Sequence, residues 1–337
     1  MFKFNFIVND KSRKLKWIQL EEYLIDIIQK RECTLGSRLP SVSEANKMFS
    51  VSRDTVLATY RSLQDKGIIS SQPGKGYYIT SYKTNNKLKI FIFFDAMNQY
   101  KETLYRSLLS GLGKNYETDI AFHYYNEQLF RSLIETYEKD YGFFVLMPHF
   151  NKDVTDCIKM IPPHKLLLLD AFPNSLGKEY AAVYQDFNDD VYKGLHSLLK
   201  SLKKYTSLTV IYNDRFQFMP DSLIDGIRRF AYDFKIPLQI SQNFIFSDLS
   251  KGTCYMAISD RDLAEVIKSA DHKKLKIGKD IGLLSFDDTP LKEVLAGGIT
   301  TISTDFALMG VQAAKLIKQR RIQQIPNPSY VAYRKSL

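Results

Sequence analysis

The sequence predicts an α/β protein, with a small helical module and hairpin ahead of a larger, doubly wound body of parallel strands. Three observations point to this. Residues 15–79 hold three amphipathic helical segments and one tight hairpin. From residue 90 on, short apolar runs alternate with amphipathic segments of helical length. Between these regions, Thr80 to Lys89 is polar and aperiodic, which marks a linker. The expected division is therefore 1–80, 81–89 and 90–337. With 337 residues, 45% of them hydrophobic and 25% charged, the chain suits two or three packed units.

Residues 15–31 set Trp17, Leu20, Leu24, Ile27 and Ile28 on one helical stripe. Ser41 then opens a Ser-x-x-Glu capping box with Glu44, and Val42, Ala45, Met48 and Phe49 supply the next apolar face. Phe49 to Val51 forms a short turn. Ser52 can cap a third helix that faces Val56, Tyr60 and Leu63 inward. Gly67, after Lys66, suits a left-handed helix end. Ile68–Ser71 and Tyr77–Ile79 read as strands around Pro73-Gly74-Lys75-Gly76. A capped helix, a turn, a second capped helix and a hairpin make a winged helix-turn-helix. That module sets its second helix in the major groove of double-stranded DNA.

The charge agrees. Net charge is +10, and the first 82 residues carry 13 Lys/Arg against 8 Asp/Glu, so half of the excess sits in a quarter of the chain. Ser52 and Thr55 can bond phosphate oxygens beside the free N–H groups of the helix start, and Asp54 shares that turn. Arg53 can donate two hydrogen bonds to a guanine edge. Lys75, between two glycines, can approach the backbone or a narrow minor groove. Arg38 and Lys47 suit phosphates.

The runs Arg38-Leu39-Pro40-Ser41, Val51 to Val56, Lys66-Gly67-Ile68-Ile69 and Gly74-Lys75-Gly76 resemble the winged helix-turn-helix of GntR-type bacterial repressors over about residues 12–80. The resemblance implies DNA contacts at Ser52, Arg53, Thr55 and Gly74, and adds Ser41 and Ser43 to the candidate surface. Two positions differ from many family members, which carry arginine where this chain has Ser43 and Leu57.

In the body, the apolar runs are Ile90–Phe94, Ile120–Tyr125, Phe143–Met147, Leu166–Leu169, Ala181–Tyr184, Leu208–Tyr212, Cys254–Ile258 and Ile281–Phe286. Such runs read as buried parallel strands. The stretch Asp280 to Thr289, with Gly298 to Ile302, Asp305 to Gly310 and Ala313-Ala314, resembles the sugar-binding domain of LacI/GalR repressors, itself similar to periplasmic binding proteins. This resemblance implies two α/β lobes around a ligand cleft. It places Ser259, Asp260 and Asp287, and less directly Asp186, at or beside that cleft. By position after their strands, Asp95 suits a carboxylate for paired hydroxyls and Phe172 an aromatic for a sugar's apolar face. The alternative for Asp95 and Asp186 is a helix cap or turn. Where the family often has an arginine just ahead of the glycine aligned with Gly226, this chain has Leu223.

Enzyme motifs are missing. His123, His149, His164, His196 and His272 show no metal-ligand spacing. Gly111-Leu-Gly113 starts like a nucleotide loop but has Tyr116 in place of the third glycine. Cys33, Cys157 and Cys254 lie far apart, which fits a reducing compartment. The N-terminus lacks a signal-peptide core, and no apolar run approaches membrane-spanning length. A cytoplasmic protein is expected, without cofactor, metal or membrane partner. The two resemblances imply a homodimeric, ligand-responsive transcriptional repressor of carbohydrate genes, with a monosaccharide or derivative between its lobes. Two alternatives stay open: a constitutive DNA binder whose body only dimerises, and a DNA-binding head fused to an enzyme.

Overall fold

The computed structural model describes residues 4–12, 14–84, 87–212, 220–242 and 244–337. The first module contains α1 (Lys16–Gln29), α2 (Val42–Phe49) and α3 (Arg53–Asp65), followed by the antiparallel hairpin β1 (Ile69–Gln72) and β2 (Gly76–Ile79). The capping box at Ser41 and Glu44 is formed, and Ser52 caps α3 by accepting from the Thr55 N–H. These caps fix where each helix begins. Leu20, Leu24, Ile28, Ala45, Val56, Tyr60 and Leu63 are fully buried in one core. Met48, expected on the apolar face of α2, is 45% exposed instead, because Phe49 occupies the inward position.

The body has two lobes of six strands each. The first contains β3 (Leu88–Phe94), α4 (Gln99–Leu112), β4 (Tyr116–Phe122), α5 (Glu127–Tyr137), β5 (Phe143–Leu146), α6 (Thr155–Ile158), β6 (Leu166–Asp170) and β7 (Ala181–Tyr184). The second contains α7 (Phe187–Ser197), α8 (Leu199–Leu202), β8 (Ser207–Ile211), α9 (Asp221–Phe234), β9 (Leu238–Ser241), β10 (Thr253–Ala257), α10 (Asp260–His272), β11 (Gly282–Phe286), α11 (Pro290–Val294) and β12 (Thr300–Thr304). The chain then returns to the first lobe for α12 (Phe306–Gln319) and β13 (Gln324–Pro326), and ends in the second lobe with β14 (Ser329–Ala332). The strand orders are β4-β3-β5-β6-β7-β13 and β9-β8-β10-β11-β12-β14, and only β14 runs antiparallel.

All eight apolar runs are strands. The second one is shifted: β4 ends at Phe122, and Tyr124 and Tyr125 turn into the left-handed region at φ 45° and 61°. β4 is an edge strand with a half-exposed alternating pattern, so its polar first half had not read as a strand.

The chain crosses between lobes after β7, after β12 and after β13. Asn327, 2% exposed, joins all three crossings. Its N–H donates to the Tyr184 carbonyl at 2.7 Å. Its side-chain amide donates to Thr304 Oγ1 at 2.8 Å and to the Asp305 carbonyl at 2.9 Å. Replacing Asn327 by Ala should lower body stability by about 1–3 kcal/mol, because the buried Thr304 hydroxyl and the part-buried Asp305 carbonyl each lose a donor. Urea unfolding of the full chain would measure this as a lower midpoint.

Candidate ligand cleft and DNA-facing surface

In open parallel sheets, ligands bind beyond the carboxyl ends of the strands. Here the carboxyl ends of both sheets meet across the interlobe cleft. Asp95 follows β3, Asp170 ends β6, Gln185 follows β7, Ile258 follows β10 and Asp287 follows β11, and all five line one inner cavity. Asp170 and Asp287 hold left-handed backbones at φ 69° and 58°, which turns each chain sharply at its strand end. Such strain persists only where the surroundings enforce it.

A chain of buried charges fills much of this space. Lys101 Nζ lies 2.5 Å from Asp95 Oδ1, and His149 Nδ1 lies 3.0 Å from Asp95 Oδ2. The other ring nitrogen of His149 is 3.1 Å from Asp170 Oδ2, and Gln185 Nε2 donates to Asp170 Oδ1 at 2.6 Å. Asn98 caps α4 by accepting from the Lys101 N–H, which helps fix where that lysine stands. Burial would push the Asp95 carboxyl up, but His149 and Lys101 overcome it and hold it well below the usual carboxylate range. Burial would lower His149, yet Asp95 and Asp170 outweigh it and raise the imidazole to about 9.

Asp287 differs. Its Oδ1 is buried and has no hydrogen-bond partner among the described residues. Burial raises its carboxyl to about 7, opposed by Lys292 and assisted by Asp170. Lys292 instead donates to the carbonyls of Phe286 and Asp287, both at 2.7 Å, and reaches Asp260 at 2.9 Å.

The inner cavity holds only about 30 Å³, room for ordered water but not for a sugar ring. Leu223, Phe187, Ile258 and Phe286 form its apolar walls. Beside it opens a wider space of about 470 Å³, lined by Phe172, Tyr184, Gln185, Asp186, Asn174 and Lys152, among others. That volume suits a small molecule, for which pockets run to roughly 300–1,000 Å³.

The structure thus brings Asp95 and Asp287 together in the inner cavity, and Phe172 and Asp186 in the outer space. Asp186 also caps α7 by accepting from the Asp189 N–H. Ser259 caps α10 and lines neither space, and the Asp260 side chain is 72% exposed. Asp260 reaches the cleft through Lys292 and through its charge, which helps raise the Asp287 carboxyl. Sequence reasoning missed Lys101, His149, Asp170 and Gln185. Asp170 and His149 each sit at or just after an apolar run, the same signal that singled out Asp95.

On the first module, Ser52, Arg53 and Asp54 are exposed at the start of α3, with Thr55 partly so. Ser52 Oγ and Thr55 Oγ1 are 2.9 Å apart. Arg53 donates to Ser43 Oγ at 3.0 Å. Lys47 is exposed in the last turn of α2, and Arg38 lies beside Gly76 of the wing. Gly74 takes φ 72° at the wing tip, next to exposed Lys75. Ser41 is committed to its capping box. One face therefore carries the helix start, Arg53 and the wing.

The family model of bacterial regulatory proteins of the gntR family matches residues 18–79, and that of the periplasmic binding protein-like domain matches residues 227–334. The chain is a transcription regulator that joins a GntR-type DNA-binding head to a periplasmic-binding-protein-like body. No curated protein matches the regulator's sequence. Among solved structures, it is similar to the trehalose repressor from Escherichia coli, with TM-score 0.62, 14% identity, and 73% of this chain and 100% of that one covered. It is also similar to a LacI family transcriptional regulator from Enterococcus faecium with bound ribose, with TM-score 0.60, 19% identity, and coverage of 74% and 98%. Transcription regulator CcpA of Lactococcus lactis gives TM-score 0.59 and 13% identity, with coverage of 74% and 99%. At these identities the likeness carries the fold and not the ligand. Among the described residues of the regulator, no helix is long and apolar enough to cross a membrane.

An acid whose pKa rises on folding lends stability that is complete below its unfolded value and gone once pH passes the folded one. Asp287 should therefore cost stability progressively between about pH 4 and pH 7. The Asp287→Asn variant should lack this part of the slope and melt above the parent at pH 8, as read by thermal unfolding without ligand.

Proposed function

We propose that this regulator is a homodimeric repressor of carbohydrate genes whose effector is an uncharged polyhydroxyl compound of monosaccharide size. The carrying observation is Asp287 Oδ1, a buried acceptor in the interlobe cavity without a partner among the described residues. A hydroxyl donated by a ligand supplies what it lacks. Phe172 and Tyr184, tilted at 41° with centroids 5.9 Å apart, offer an apolar wall for a sugar face in the adjoining space. The absence of arginine from the described residues lining either space, and the surplus of carboxylates there, argue against a phosphorylated effector. Two solved relatives were obtained with ribose and with D-xylulofuranose.

The collapsed inner cavity then belongs to a state that must open or rearrange to admit the ring, and the effector acts by preferring one lobe arrangement over another. Ser52, Arg53, Thr55 and Lys75 read and clamp one operator half-site, and a second copy of the head reads the other.

Two measurements test this reading. Neutral pentoses and hexoses, ribose and xylulose among them, should raise the melting temperature of the parent and not of Asp287→Ala. No shift with any sugar would favour a body that only dimerises. On an operator selected from random duplexes, Arg53→Ala should weaken binding by about 1–3 kcal/mol if Arg53 reads a base. Unchanged affinity would remove Arg53 from the reading surface.

A further inference from the structure

The far end of the DNA-facing helix is pinned to the body. Asp65, the last residue of α3, meets Arg320 at 2.6 Å, and their side chains are only 3% and 7% exposed. Lys165 approaches the same carboxylate at 3.9 Å. Gly142 makes this fit possible: a Cβ there would lie 2.8 Å from Asp65 Cβ and 3.1 Å from its carbonyl oxygen. The Arg320 guanidinium also lies 6.0 Å from the centre of the Phe143 ring. A buried pair of this kind is directional, because removing one partner leaves the other charge uncompensated.

Arg320 directly follows α12, in a left-handed conformation at φ 52°. The opposite end of α12 reaches the cleft. Asp305 caps the helix where the chain crosses from the second lobe, and Phe306 stacks on Tyr100 at 4.6 Å and 27°. Tyr100 lines the inner cavity with Asp287. Between these ends, Gly310 brings α12 against the backbone of α4, where a Cβ would lie 2.4 Å from the Leu104 carbonyl oxygen. The 14 residues of α12 span about 21 Å, most of the depth of the lobe.

We propose that α12 is a rod that carries motion from the cleft to the DNA-binding head: displacement at Phe306 and Tyr100 reaches α3 through the Arg320–Asp65 pair. The head is then docked on the first lobe rather than free on its linker. Docked and undocked heads form the two-state element that both ends of α12 bias. This goes beyond the effector reading and uses neither sugar nor operator in its test, so the two can fail separately.

The test is amide hydrogen exchange, read by mass spectrometry on the full chain. Arg320→Ala should speed exchange in the last turn of α3 by about tenfold or more, with both body sheets unchanged. Asp65→Ala should do the same, and the double variant should be no faster than the faster single one, since the two residues act as a pair. Asp65→Asn, which keeps the shape, replaces Asp65→Ala if that variant unfolds the head. Phe306→Leu should change exchange in α3 in the parent but not in the Arg320→Ala background. Equal α3 exchange in the parent and Arg320→Ala would overturn the docking. A Phe306→Leu effect on α3 that persists without Arg320 would overturn the rod.

Discussion

Asn327 holds together the waist on which the body depends. Each lobe is completed by chain that has first passed through the other, so neither sheet closes without the three crossings. One buried residue bonds to two of them, by its side-chain amide after β12 and by its backbone N–H after β7, and stands in the third. The chain passes between the lobes at that waist, which is where a hinge would act. The same arrangement turns the carboxyl ends of both sheets toward each other. Groups that end a strand in either lobe therefore converge on one cleft, although they come from positions as far apart as Asp95 and Asp287.

The convergence creates an electrostatic problem that the chain solves unevenly. Three carboxylates in a water-poor space repel one another and lose hydration. Asp95 and Asp170 escape by sharing protonated His149 between them, each with one further donor. Asp287 has no equivalent among the described residues, and Lys292 beside it donates to backbone carbonyls and pairs with Asp260. Satisfied groups set the shape of the cleft, and under the proposed reading the unsatisfied one meets the ligand.

Most of the architecture was legible in the sequence because it rests on local rules. Caps at Ser41 and Ser52, the wing glycines and the buried strands each leave a signal a few residues long. Strands that break those rules stayed hidden. β12 is built of Thr300, Thr301, Ile302, Ser303 and Thr304, all buried, with the hydroxyls of Thr300, Ser303 and Thr304 bonded to carbonyls that no local pattern reveals. Short β13 and β14 depend on the crossing at Asn327. At the site, residues that follow a strand were within reach, which is how Asp95 and Phe172 were singled out, whereas Asp186 and Asp287 came from the family resemblance. Pairing was not: nothing near Lys101 or His149 in the chain announces that they share Asp95, and Ser259 turned out to be engaged as a cap.

The bond from Arg53 to Ser43 turns a departure from the family pattern into a property of the reading head. An arginine at position 43 would have offered a second probe and repelled the first. A serine there holds Arg53 instead, and a side chain already held in place loses less freedom when it meets a base. The head thus has a tethered arginine at the start of α3. If Arg53 reads a base, it does so as a gauge of fixed reach.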